Sequence, residues 1–219
     1  MRNLEKDEKE MAQKRERMLA EGYRLFAERG IEAVSMTDIA SASEVGIATL
    51  YRYYNTKLSL VLAIGARKWE EFGERIMVLR KENNADNMTA KEELEFYFDL
   101  YIKLYRNHKD LLCFNQNFNN YVRHEGASAE QLEGYISAIK GLGKLFSLLY
   151  EKGKRDGTIR TDQSEEIMFA STSHIMLAVT VRYAQGLLFS AGQEEDRTEE
   201  ILMLKRLLLK EYVTDVIPG

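Results

Sequence analysis

Three features of the 219-residue sequence predict an all-helical protein. Its one proline is Pro218, so nothing from Met1 to Ile217 carries the residue that removes a backbone donor and clashes with the preceding helical turn. Leu, Glu, Lys, Arg and Met are abundant, and all five are good helix formers. Apolar residues recur at steps of three and four along most of the chain, which places them on one face of a helix. Hydrophobic residues at 45% and charged residues at 30% are ordinary for a globular chain. An all-β fold, a collagen-like chain and a disordered linker are thereby excluded. At about 150 residues per domain, the length allows one large domain or two small ones.

A first helix is expected over about residues 8–29, where Leu19, Tyr23 and Phe26 share a face and Gly30 ends it. Ser35-Met36-Thr37-Asp38 is a Ser-x-x-Asp capping box opening a second helix of about seven residues through Ile39-Ala40. Ser43-Glu44-Val45-Gly46 is a turn, followed by a third short helix from Ile47 to Tyr54, closed by Asn55-Thr56. A fourth helix opens at about Lys57 and carries Leu60, Ile64, Phe72, Ile76 and Leu79. The polar run from Lys81 to Asn87 forms turns and is the best boundary after the opening helices.

Helix five is expected over about 89–106, with Leu94, Phe98, Tyr101 and Tyr105 on one stripe, helix six over about 109–121 and helix seven over about 128–153. Gly153 and Gly157 bracket a turn. Helix eight, about 163–190, has Ala170, His174, Leu177, Val181, Ala184 and Leu188 on a heptad-like seam. Helix nine, about 197–213, repeats the signal with Ile201, Leu204, Leu208 and Tyr212. No internal repeat or low-complexity segment stands out.

Cys113 is the one cysteine and cannot form an internal disulfide; a lone thiol between Leu112 and Phe114 reads as core in a reducing, cytoplasmic setting. The charged opening segment has no apolar h-region, and no stretch reaches about 18 apolar residues, so neither a signal peptide nor a membrane partner is expected. His108, His124 and His174 each lack a Glu three residues earlier, and no phosphate-binding loop, nucleophile elbow or Cys/His cluster occurs. The expectation is therefore no enzyme, no catalytic residues, no cofactor and no metal. Net charge is −4, but residues 1–81 hold 15 Lys and Arg against 13 Asp and Glu, a net of +2, leaving −6 on the remainder. Binding to nucleic acid needs a local basic face rather than a basic total, and the asymmetry points to the N-terminal third.

A capped short helix, a turn and a second short helix make a helix-turn-helix, whose second helix fits the DNA major groove. Thr49, Arg52 and Tyr53 can meet base edges or phosphates, Lys57 stands where the next helix begins, and Ile47 or Ala48 offers an apolar surface to a thymine methyl. Gly46 starts that helix. Ser35, Met36 and Thr37 begin the helix before it, where Thr37 can donate to a phosphate while Ser35 caps. Leu50 is expected to face inward. Its neighbour Tyr51 is read first as core and second as a DNA contact.

Phe26-Ala27-Glu28-Arg29-Gly30, Thr37-Asp38-Ile39-Ala40 and Thr49-Leu50-Tyr51-Arg52-Tyr53-Tyr54-Asn55-Thr56-Lys57 resemble the TetR/AcrR family of bacterial transcriptional regulators. The match spans about residues 15–62, with three segments in order at the family's distances. The resemblance implies a homodimer that binds double-stranded operator DNA through its N-terminal domains and is released by a small ligand in the C-terminal domain. It assigns residues 1–57 to a DNA-binding domain and 58–219 to a ligand-binding and dimerisation domain. Where the family usually has Ala-Gly-Val-Ser in the turn, this chain has Ser43-Glu44-Val45-Gly46. A glutamate at a position that favours glycine costs about 1 kcal/mol, and Glu44 adds negative charge beside the DNA-facing side, which lowers affinity or shifts the turn.

An apolar pocket with a few placed polar tips is the usual form of a small-molecule site, and hydroxyl-bearing aromatics suit it. The candidates are Trp69, Phe72, Phe98, Tyr101, Tyr105, Phe114, Phe118 and Tyr121, with His174 read first as a packed or dimer-contact histidine. The effector expected is small and hydrophobic or aromatic. Helices eight and nine are expected to pair with their symmetry mates as a four-helix bundle, because one short recognition helix reads too few base pairs while two read a palindrome. A repressor is the main functional expectation, and a helical protein–protein adaptor without DNA binding is the alternative.

Overall fold

The computed structural model describes residues 4–187 and 196–214. Among them are α1 (Leu4–Arg29), α2 (Met36–Ala42), α3 (Ile47–Tyr53), α4 (Lys57–Glu82), α5 (Ala90–Asn107), α6 (Lys109–His124), α7 (Ala129–Asp156), α8 (Glu165–Ala184) and α9 (Thr198–Tyr212). A short 3-10 turn, Ala85–Asn87, lies between α4 and α5, and one isolated antiparallel bridge joins Ile159 to Val213. The helical class and the order of elements are those the sequence predicts.

Two boundaries differ for identifiable reasons. Helix α8 ends at Ala184, not near 190, because Gly186 takes a left-handed conformation, φ 79°, and closes the last turn on Tyr183. The seam residue Leu188 lies outside the described residues. Gly153 does not bracket a turn: it is buried inside α7, where a Cβ would come within 2.3 Å of Ile159 Cγ1. The helix needs a side-chain-free position for that approach, and it is Gly157, φ 67°, that turns the chain.

Compactness divides the chain into two units, residues 1–71 with 114–139, and residues 72–113 with 140–219. Helices α4, α6 and α7 each continue from one unit into the other. In the first unit, Met18 and Phe26 of α1, Ile39 of α2, Leu50 of α3 and Leu60 and Ile64 of α4 are almost fully buried together. Its other residues add an aromatic cluster, in which Tyr23 meets Phe114 edge-on at 5.1 Å and Phe118 meets Tyr135 at 4.6 Å. In the second unit α5 packs on α8 and α9, and Leu94, Phe98, Tyr105, Leu149, Met176 and Ile201 form the core.

Candidate functional site

The helix-turn-helix is built from local signals. Ser35 is the N-cap of α2: its hydroxyl accepts the Asp38 N–H at 3.1 Å, and the Asp38 carboxylate accepts the Ser35 N–H at 2.8 Å. Those bonds from Ser35, with Arg29 nearby, hold the Asp38 carboxyl below its ordinary pKa. Thr37 is exposed beside the cap. Met36 is not available to DNA: it is buried with Ile39 and Ala40 on the inward side of α2, since positions three and four apart share a helix face.

The turn into α3 keeps the geometry of a glycine turn without the glycine. Val45 N–H bonds the Ala40 carbonyl at 3.0 Å and Glu44 N–H bonds the Ser41 carbonyl at 3.1 Å, the paired closure of a Schellman motif. Glu44 occupies its left-handed position, φ 54°, so the turn is strained rather than shifted. Its carboxylate pairs with Arg17 of α1 at 2.9 Å, and both side chains are well exposed. An exposed pair contributes little. Glu44→Gly is therefore expected to stabilise the protein by about 0.5–1 kcal/mol, read as a higher urea midpoint at unchanged slope.

Helix α3 begins at Ile47 after the N-cap Gly46, which supplies no side-chain cap, and is anchored by Leu50, which has no exposed surface. Ile47, Ala48, Tyr51 and Arg52 are exposed, while Thr49 and Tyr53 are half-buried. Tyr51, read first as core, is 47% exposed on the outward face. Adjacent residues on a helix with 3.6 residues per turn point about 100° apart, so the inward aim of Leu50 turns Tyr51 away. Lys57 is held by the protein itself: its ammonium donates to the Glu32 carbonyl at 3.2 Å and lies 5.5 Å over the Tyr121 ring. Burial lowers the Lys57 pKa against the pull of Glu32 and Glu125, and burial with Glu125 and Glu32 pushes Tyr121 up to about 12.

The expected ligand aromatics separate between the two units. Phe72, Phe98 and Tyr101 line a cavity of about 60 Å³ in the second unit. Phe114 and Phe118 are core of the first unit, and the Trp69 indole N–H donates to the Tyr135 hydroxyl at 3.1 Å there. Phe118 fits because Gly65 faces it, where a Cβ would come within 2.5 Å of the ring. Tyr105 is buried with its hydroxyl accepting the Arg197 N–H at 3.1 Å, and His174 is exposed on α8 away from the cavity lining. Cys113 is half-buried, its thiol 3.5 Å from the Ala184 carbonyl, and burial pushes its pKa up.

Sequence reasoning missed the polar end of this cavity. Tyr97 and Ser173 line it, and the desolvated Tyr101 hydroxyl bonds Ser173. Behind Tyr97, Glu93 pairs with both Arg80 and Lys152. A signal existed, since Glu93, Phe96, Tyr97 and Leu100 fall at i, i+3, i+4 and i+7, putting an acid on the buried stripe of α5. A larger cleft of about 550 Å³ in the first unit is lined by charged residues, among them Arg15, Glu16, Arg67 and Glu70. The smaller cavity is the one lined mainly by apolar and aromatic side chains. Among the described residues no group of three or more His, Cys, Asp or Glu is placed to hold a metal, and no helix is long and apolar enough to cross a membrane.

Residues 18–64 match the model of the family described as bacterial regulatory proteins, tetR family. An HTH-type transcriptional regulator of Staphylococcus aureus (strain bovine RF122 / ET3-1) is 25% identical over 80% of this chain and 86% of its own length. One from strain MRSA252 is 26% identical over 78% and 82%. The transcriptional regulator FadR from Bacillus subtilis, solved in complex with stearoyl-CoA, has a TM-score of 0.68 at 17% identity, covering 89% of this chain and 97% of that one. A putative transcriptional regulator from Saccharomonospora viridis in complex with choline has a TM-score of 0.67 at 19% identity, covering 91% and 97%. These likenesses show the fold. With the helix-turn-helix inside the matched segment and transcriptional regulators aligning over most of the chain, residues 18–64 are a DNA-binding domain of the tetR-family type, and the whole chain is similar to regulators that carry it.

Proposed function

We propose that this protein is a cytoplasmic repressor that binds a palindromic operator as a homodimer and is released by a small apolar or aromatic ligand. The observation that carries the reading is α3, on which Ile47, Ala48, Tyr51 and Arg52 face outward over a buried Leu50. Such a face suits the major groove, with Arg52 for phosphate or guanine and Ile47 or Ala48 for a thymine methyl. Ser35, Thr37, Gly46, Thr49 and Tyr53 complete the interface, and residues 1–57 act as the reading head. Exposed Ile167 and Ile175 on α8 and Met203 and Leu207 on α9 support dimerisation through these helices. Helix α4 carries Lys57 at its start and the cavity residues Phe72 and Ile76 further along, which makes it the element through which a ligand acts. A ligand shifts the dimer only by its differential affinity for the two states.

The test is salt-dependent binding to a palindromic duplex selected from a random library. The slope of log affinity against log salt should flatten by about 2 on Arg52→Ala, roughly one phosphate contact from each protomer. Failure to bind any duplex at low salt overturns the reading.

A further inference from the structure

Three of the helices lining the second-unit cavity lead to one buried set of charges. Along α4, Phe72 and Ile76 are followed by Arg80; along α5, Tyr97 is preceded one turn earlier by Glu93; and along α7, Phe146 is followed by Lys152. Glu93 has no exposed side-chain surface, Arg80 has 8% and Lys152 has 15%. Arg80 and Lys152 each pair with one Glu93 oxygen, Lys152 also donates to the Ala85 carbonyl at 2.9 Å, and Arg80 donates to the Tyr97 hydroxyl at 2.5 Å. Asp86 reaches Arg80 at 3.2 Å, but its side chain is 94% exposed and water screens it. Asp156 and Glu92 also act on Lys152, but Asp156 is only half-buried and accepts the Ala90 and Thr158 N–H groups, and Glu92 is exposed, so the buried set is two cations against one carboxylate. Tyr97 stands between this excess positive charge and the apolar cavity, with its ring on the cavity wall and its hydroxyl on Arg80.

We propose that the occupant of this cavity is a small organic acid, its apolar body among Phe72, Phe98 and Phe146 and its carboxylate at the Tyr97 end, accepting from the Tyr97 hydroxyl and facing Arg80 and Lys152. The inference rests on reading the cavity as the effector site. A carboxylate there supplies the second negative charge that the buried cations lack, and buried charge is tolerated when paired and hydrogen-bonded. The Tyr97 hydroxyl now donates to Glu93 at 3.2 Å and turns to the ligand, an exchange of hydrogen bonds with no proton changing atoms. Burial, with Glu93 next to it, raises the Tyr97 pKa, so the hydroxyl keeps its proton as a donor. An amine of the same shape meets like charge. The cavity of about 60 Å³ has room for about four to six water-sized groups, far below drug-sized sites, which limits the body to a short chain of about five carbon atoms.

The experiment titrates the full chain by NMR with hexanoate, 1-hexanol and hexylamine, three probes of equal length and different charge. Hexanoate is expected to bind about tenfold or more tighter than 1-hexanol, and hexylamine more weakly than either. Lys152→Met should weaken hexanoate by about tenfold while leaving 1-hexanol within about twofold, and Glu93→Gln should tighten hexanoate. A purely structural ion set would move all three probes together. If Glu93→Gln does not fold, Lys152→Met decides. Hexanoate bound no more tightly than 1-hexanol, hexanoate indifferent to Lys152→Met, or no binding of any probe overturns the proposal. Operator affinity of the unliganded protein, measured separately, decides the repressor reading, so the two failures are distinguishable.

Discussion

Glu93→Leu is expected to lower the unfolding free energy by about 3–5 kcal/mol, the penalty for leaving buried charges without their counterion. The wild-type carboxylate is fully buried and takes one cation on each oxygen, Arg80 from α4 and Lys152 from α7. Its removal leaves two near-buried cations facing each other, with the exposed Asp86, the Ala85 carbonyl and the neutral Tyr97 hydroxyl as polar compensation. Leucine fills similar volume, so the loss is electrostatic and not a cavity. That origin has its own signature: adding Arg80→Met and Lys152→Met to Glu93→Leu should recover most of the stability, because an all-apolar replacement removes the desolvation penalty along with the attraction. Urea midpoints at one fixed protein concentration read both effects, the fixed concentration being needed wherever association contributes to stability. A Glu93→Leu protein as stable as wild type would mean that the ion set is well hydrated.

What the sequence made legible is what short spacings encode. The Ser35–Asp38 capping box, the Gly30 stop, the inward Leu50 and the approximate bounds of all nine described helices follow from residues one to four apart, where helix geometry alone decides which side chains meet. Tyr51 obeys the same rule although the sequence reading places it first in the core, since the inward aim of Leu50 turns it outward. The ligand cavity was only half legible. Trp69 and Phe72 are three residues apart on α4, yet one lies in the first unit and the other lines the cavity of the second. Tyr105 shares the inward stripe of α5 with Phe98 but spends its hydroxyl on the Arg197 backbone, 92 residues away. The ion set joins residues 13 and 59 positions apart, and each of its charges, met singly in the sequence, looks like part of a solvated face. Gly153 looks like a turn until Ile159 is seen against it. Pairings at such separations depend on tertiary packing that no local period records.

Leu207→Asp is expected to dissociate the proposed homodimer and, with it, to abolish the proposed operator binding. Leu207 and Met203 stand one turn apart on α9 and are each 56% exposed, while Ile167 and Ile175 of α8 are 57% and 40% exposed. Large apolar side chains left this open on neighbouring helices of one unit form a patch that a second copy can cover, and the two helices pack on each other. At a two-fold interface every residue occurs twice. Burying an unpaired polar group costs at least about 2–3 kcal/mol, so two copies raise the dimer dissociation constant by roughly a thousandfold or more. The fold should survive, because the position is already exposed and surface changes of this kind stay within about 0.5 kcal/mol. Sedimentation velocity would then report a folded monomer with an unchanged circular dichroism spectrum. Operator affinity falls further than any single α3 contact could account for, since a monomer reads one half-site and loses the other half of its base and phosphate contacts together. A dimer that persists through Leu207→Asp places the interface elsewhere on the chain, and a monomer that keeps full operator affinity overturns the two-fold reading.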